Sequence, residues 1–161
     1  MKSRKPGRRA KPGDVVAIPL TKTRAALGRI YRDGAIAILS DLVSADVETV
    51  DPASVRGDQG LFVVGFLDSR VRSGEWRIVG HAPFTKSEDS WPPPRFVTDV
   101  VDGRRRIYHR GVLRAAKAEE LTRALEEADM YGPETLVRLI RSRLKARKLT
   151  GGDKRRRPAV P

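Results

Sequence analysis

Two histidines, a run of five carboxylates, two tryptophans and an arginine triplet are the side chains whose types and spacing could support chemistry. His81 and His109 stand apart, with no second histidine or carboxylate at HExxH-like spacing to complete a metal site. Both read as solvated or hydrogen-bonded histidines at strand ends. The chain has no cysteine, which removes thiolate zinc sites, disulfides and a cysteine nucleophile together. GxGxxG, GxxxxGK[ST] and GxSxG are also absent, so neither a phosphate-cradling loop nor a nucleophile elbow has support. No catalytic residue, metal site or cofactor is expected, and the chain is not expected to be an enzyme.

The carboxylates Asp41, Asp46, Glu48, Asp51 and Asp58 lack the alternating oxygen ligands and central glycine of a calcium loop. They are either solvated loop charges or an acidic surface that steers a basic partner, and residue types do not separate the two. As a partner surface, Asp46, Glu48, Asp51 and Asp58 supply the charge and Trp91, beside three prolines, supplies an aromatic anchor. Trp76, in EWRIVG, fits a core position. Neither indole belongs to an aromatic cluster of the kind that stacks bases. Arg104, Arg105 and Arg106 would alternate sides on a strand and so form no single basic stripe.

Charge is segregated along the 161 residues. Residues 1–13 carry 6 basic and no acidic groups, residues 138–161 carry 10 basic and 1 acidic, and the stretch between carries 17 basic and 19 acidic. The net charge of +13 therefore belongs to the ends. This predicts a disordered basic arm over 1–13, one β-rich domain with a C-terminal helical hairpin over 14–149, and a disordered basic tail over 150–161. A nucleic-acid-binding accessory protein, using arm, last helix and tail, is one functional class this allows. The basic N-terminus leads into no apolar h-region, since Asp14 and Pro19 interrupt the nearest candidate, and no stretch approaches the ~18 apolar residues of a membrane span. A soluble cytoplasmic protein without a membrane partner is expected.

Short Val- and Ile-rich runs must position these side chains. Residues 14–20, 26–31 and 34–40 read as successive antiparallel strands, with Arg32-Asp33-Gly34 as a tight turn and Pro19 at a strand end or edge. Residues 41–60 stay unassigned. The nearly unbroken apolar run 61–67 predicts a central strand, and Gly65 in it a bulge or close backbone approach. Residues 75–81, 96–101 and 104–109 complete about seven strands, the last two joined at Asp102-Gly103. Beyond 115 the period changes: Ala118, Leu121, Leu125 and Ala128 predict one amphipathic helix. Pro133 then opens a second over 133–149, with Leu136, Leu139, Ile140 and Leu144 facing inward and Arg138, Arg141, Lys145 and Lys148 outward. The fold class is α+β, mainly β: a curved antiparallel sheet or partly open barrel followed by two C-terminal helices.

KPGDVVAIPL at 11–20, followed by Gly28-Arg29-Ile30, resembles the opening of the immunity protein 26 family, a GDxxAIPL strand and a second G-R-V/I strand. SGEWRIVGHAP at 73–83 is similar to that family's W-x-I/V-I/V-G-x-x-P element, and Pro94-Arg95-Phe96 before a hairpin keeps the order. The matching positions are Gly13, Asp14, Ile18, Pro19, Leu20, Gly28, Arg29, Trp76, Gly80 and Pro83, within a resemblance that covers about residues 11–110. It implies a small, mostly β, non-enzymatic protein of a bacterial polymorphic toxin system that binds and blocks a cognate toxin. The basic ends depart from the acidic character that suits an inhibitor of a basic toxin; only the near-neutral body with its acidic loop fits that role.

Overall fold

Alternate residues of the opening strand feed two different cores. In the computed structural model, which describes residues 7–58 and 60–151 (148–151 by backbone alone), β1 (Asp14–Pro19) sends Val16 and Ile18 to one face and Val15 and Ala17 to the other, all four buried. The chain continues through β2 (Arg24–Ile30), β3 (Ala35–Ser44), α1 (Pro52–Arg56), β4 (Phe62–Phe66), α2 (Ser69–Arg72) and β5 (Arg77–His81). A 3-10 turn (Ser87–Ser90), β6 (Arg95–Thr98), β7 (Arg105–His109), β8 (Val112–Ala115), α3 (Ala118–Leu121), β9 (Met130–Tyr131) and α4 (Pro133–Gly151) follow.

The fold is α+β and mainly sheet, but it has two open sheets rather than one. Six strands run in the order β5-β1-β2-β3-β4-β9, and β6-β7-β8 form a second sheet of three. Every pairing is antiparallel except β4 with β9. All seven expected strands have a counterpart. The 61–67 strand is not central, however: β4 is fifth in order, and its apolar character reflects Phe62, Val64 and Phe66 in the core and the cover that β9 gives its edge. Gly65 is a close approach as expected, since a Cβ there would come 2.6 Å from the Asp129 carbonyl oxygen.

The β2–β3 connection is the expected tight turn, with φ of 62° at Asp33 and 61° at Gly34 and Ala35 N–H donating to the Arg32 carbonyl. A second such turn, Arg110 (φ 53°) and Gly111 (φ 79°), joins β7 to β8, a strand the sequence reading passed over. The Asp102-Gly103 hairpin is present, but with a longer loop between β6 and β7.

The helical hairpin is not present. Of the amphipathic stretch beyond 115, only α3 is helical; Phe96 N–H then donates to Glu126 O (2.9 Å), Ala128 N–H to Phe96 O (2.7 Å), and β9 pairs with Gly65–Phe66. Two of the four stripe residues are alanines and Leu121 is half exposed, so little apolar area rewards a helix here. Covering the open edges of β4 and β6 satisfies backbone groups instead, and tertiary pairing overrides propensity.

α4 does form, with Pro133 in its first turn. Leu136 and Ile140 are fully buried against β1–β4, with Val137, Leu139 and Leu144 at their margin. The opposite face of the sheet is closed by the formerly unassigned segment, through Val43, Val47, Val50 and Val55. The sheet is thus a middle layer, which is why β1–β3 read as continuous apolar runs. Leu136→Ala is expected to cost roughly 2–5 kcal/mol in urea unfolding, as a large-to-small change in a shared core does; a cost near zero would show that α4 is not part of that core.

Candidate partner-binding site

Asp14 is fully buried and surrounded by donors. Arg8 donates to it twice (2.7 and 2.9 Å), Lys11 N–H once (2.9 Å), and His81 Nδ1 stands 3.0 Å from Oδ1. Burial alone would raise its pKa, but these hydrogen bonds outweigh burial and hold the carboxyl below its ordinary range. On β2, Arg29 is buried, and among the described residues no carboxylate pairs with it. Its Nε and Nη2 donate to the Ala82 carbonyl (3.0 and 2.6 Å) and Nη2 to that of Pro83 (3.0 Å), while the guanidinium lies 3.8 Å from the Phe84 ring centre. Gly13 links the same strands, donating to Ile30 O and accepting from Ala82 N–H. His81 beside Asp14 has the form of a base with its orienting carboxylate, yet Arg8 and Lys11 already occupy that carboxylate. Among the described residues, no hydroxyl hydrogen-bonds the imidazole. The cluster locks the arm, β1, β5 and the 82–84 segment together.

The other motif positions are structural as well. Ile18, Leu20 and Trp76 are core residues, and Pro19 is the exposed end of β1. Gly28 lies beneath Ile36, whose Cδ1 would be 2.3 Å from an added Cβ, and Gly80 lies against Val50. Pro83 is exposed and contributes its carbonyl to Arg29.

At the end of the sheet near the β2–β3 turn, a groove of about 530 Å³ is lined by Arg9, Tyr31, Arg32, Leu67, Trp91 and Met130, among others. Arg32 is held in place by Ser90 Oγ (2.8 Å) and Ser87 Oγ (3.2 Å), with its guanidinium 5.4 Å from the Trp91 ring centre. Leu67 and Met130 are about half exposed (51% and 52%) at the rim. A half-buried indole beside two exposed apolar side chains is the composition of a protein-contact hot spot. Trp91 stood out in the sequence, and the structure places it in this groove; Arg32, Leu67 and Met130 did not, since β9 and its place beside β4 were unforeseen.

The acidic loop does not form one constellation. Asp58 is clamped by Ser40 N–H (2.7 Å), Ser40 Oγ (3.0 Å) and Gly60 N–H (2.7 Å), and Asp51 caps α1 through Ala53 N–H (2.8 Å). Asp46 accepts from Ser44, which pulls its carboxyl below the usual range, while Glu48 is exposed. Among the described residues no group of three or more such side chains is arranged to hold a metal ion. His109 has its pKa lowered, first by burial and then by Arg110 and Arg114.

Asp14, Arg29, Trp76 and residues 80–83 all fall within residues 11–107, the stretch matched by a family model described as Immunity protein 26. The chain belongs to the immunity protein 26 family. Comparison with curated proteins and with solved structures returns no match. The family match ends within β7, so β8, α3, β9 and α4 lie beyond it, although β9 and α4 complete the sheet edge and core that the family segment begins.

Because the Asp14 pKa is depressed in the folded protein, its contribution to stability is present above the ordinary carboxylate pKa of about 3.9 and is lost as pH falls through the lower folded value. Asp14→Asn is expected to lose about 2 kcal/mol at neutral pH, the scale of hydrogen bonds to a charged group. The gap to the wild type should narrow below about pH 4 in denaturant titrations.

Proposed function

We propose that the protein is an immunity protein that binds a cognate toxin of a bacterial polymorphic toxin system and blocks it one to one, without turnover, in the cytoplasm. Membership of the immunity protein 26 family carries this reading. The family motif residues serve the scaffold, so toxin recognition is assigned to surfaces the motif leaves free. Trp91, with Leu67 and Met130 beside it, is the apolar anchor of an interface of standard size, about 1,600 Å² in total. Asp46, Glu48 and Asp51 are exposed and supply long-range attraction for a basic toxin face. Asp58 contributes by fixing the loop that presents them.

The test is binding kinetics with the purified domain of the cognate toxin. Trp91→Ala is expected to weaken the complex at least about tenfold, roughly 1.4 kcal/mol, chiefly through faster dissociation. The triple variant D46N/E48Q/D51N should slow association several-fold and flatten its dependence on salt. Unchanged rates in both variants would remove these two surfaces from the interface. No binding by the wild type would refute the function itself. Among the described residues, no helix is long and apolar enough to cross a membrane.

A further inference from the structure

We propose that the outer face of α4, together with the turn between β1 and β2, is a binding surface for the phosphate backbone of nucleic acid. Arg138, Arg141 and Lys145 recur at three- and four-residue spacing and are exposed, opposite the buried Leu136 and Ile140. Over those seven residues the helix rises about 10 Å. Arg141 donates to the Leu20 carbonyl, which brings the middle of the helix against the 21–24 turn. The turn itself is fixed by Leu20 N–H to Arg24 O (2.9 Å) and Arg24 N–H to Thr21 Oγ1 (3.0 Å). Arg24 shares its strand parity with Ala26, which faces the core under α4, so it stands on the helix side of the sheet, next to exposed Lys22.

Ion pairing decides which cations are available. The arginine triplet has carboxylates beside it: Asp102 for Arg104, Glu127 for Arg105 and Asp99 for Arg106. Arg114 is likewise held by Glu120, whose pKa falls to about 2 beside it, and Arg143 by Glu126. Among the described residues, no carboxylate pairs with Lys22, Arg24, Arg138, Arg141 or Lys145. Five cations without a carboxylate partner therefore stand at exposed positions of this helix and the adjoining turn.

Two further features favour a phosphate backbone over an acidic protein. The exposed large hydrophobic residues are Leu67, Val100, Val101, Val112, Leu113, Leu121 and Met130, none of them on this face. A protein interface needs an apolar centre, whereas a phosphate backbone is held by charge and hydrogen bonds alone. Residues 20–24 and 133–147 also contain no aromatic side chain on which a base could stack. The surface should therefore bind without sequence preference. The sequence continues into Lys154-Arg155-Arg156-Arg157, which lie outside the described residues.

The experiment is fluorescence anisotropy of the full chain with labelled single-stranded RNA and duplex DNA of about 20 nucleotides, between about 50 and 200 mM salt. With four to five phosphate contacts, log K should fall against log salt with a slope near −4 for duplex DNA and near −3 for single-stranded RNA, roughly 250-fold and 60-fold losses over that range. The variant K22Q/R24Q/R138Q/K145Q, which keeps the Arg141 bond to Leu20, should retain the wild-type Tm, weaken binding at least about tenfold and flatten the slope. A parallel variant, K154Q/R155Q/R156Q/R157Q, separates the tail. Salt-independent binding, no binding, or binding lost only with the tail would overturn the proposal. So would displacement of the RNA by poly-glutamate as readily as by unlabelled RNA, which would assign the face to an acidic protein.

Discussion

A sheet that must be dry on both faces is the constraint on which this structure depends. Once Val15 and Val16, neighbours in one strand, are both fully buried, neither side of β1 can be left to solvent. Each face therefore needs its own cover: α2, α4 and Ala10 on one side, and the Val43–Val55 segment on the other. A dry middle layer is also severe on polar groups, since a buried charge without partners costs several kcal/mol. Of the buried ionic side chains, Arg95 is paired with Asp33 at 3.6 Å, while Asp14 and Arg29 are surrounded, one by Arg8, Lys11 and His81, the other by the Ala82 and Pro83 carbonyls and the Phe84 ring. These bonds tie the start of the chain to the segment after β5, so the motif residues secure the scaffold.

Local signals were legible where the physics is local. The Asp33-Gly34 turn, the close approach at Gly65, the first-turn role of Pro133 and the one-sided burial of α4 through Leu136 and Ile140 each follow from one residue's conformational freedom or from short-range periodicity. What stayed hidden depends on distant partners. The 115–130 stretch has helical spacing, but Glu126, Ala128, Met130 and Tyr131 find better use pairing with β6 and β4. The apolar run at 61–67 suggested the centre of the sheet, because a strand covered by a helix on one face and by a late two-residue strand at its edge has the same composition. Within the candidate site, Trp91 stood out as an indole beside prolines. Its neighbours Arg32 and Met130 could be placed only once the β2–β3 turn and β9 were seen at one groove.

The candidate interaction surfaces occupy different elements. Trp91 lies at the β2–β3 end of the sheet, the acidic side chains on the segment closing one face, and the unpaired cations on the helix closing the other. The middle of the chain is close to neutral in total, and part of its charge is matched in pairs such as Arg106–Asp99 and Arg114–Glu120. Net charge thus says little about the partner, and the charges left unmatched say more. Placed on different elements, an acidic loop, an aromatic groove and a basic helix face can coexist on one molecule, since salt screens charges beyond about 8–10 Å.

The central claim is that inhibition is occlusion by a stoichiometric partner. It is tested most directly by titrating the activity of the purified toxin domain with this protein, at toxin concentrations well above the Kd of the complex. Occlusion predicts a linear fall in activity that reaches zero at one equivalent and does not change with incubation time. Complete loss of activity at a small fraction of an equivalent, deepening with time, would show turnover and contradict the account; full activity at excess protein would refute it outright.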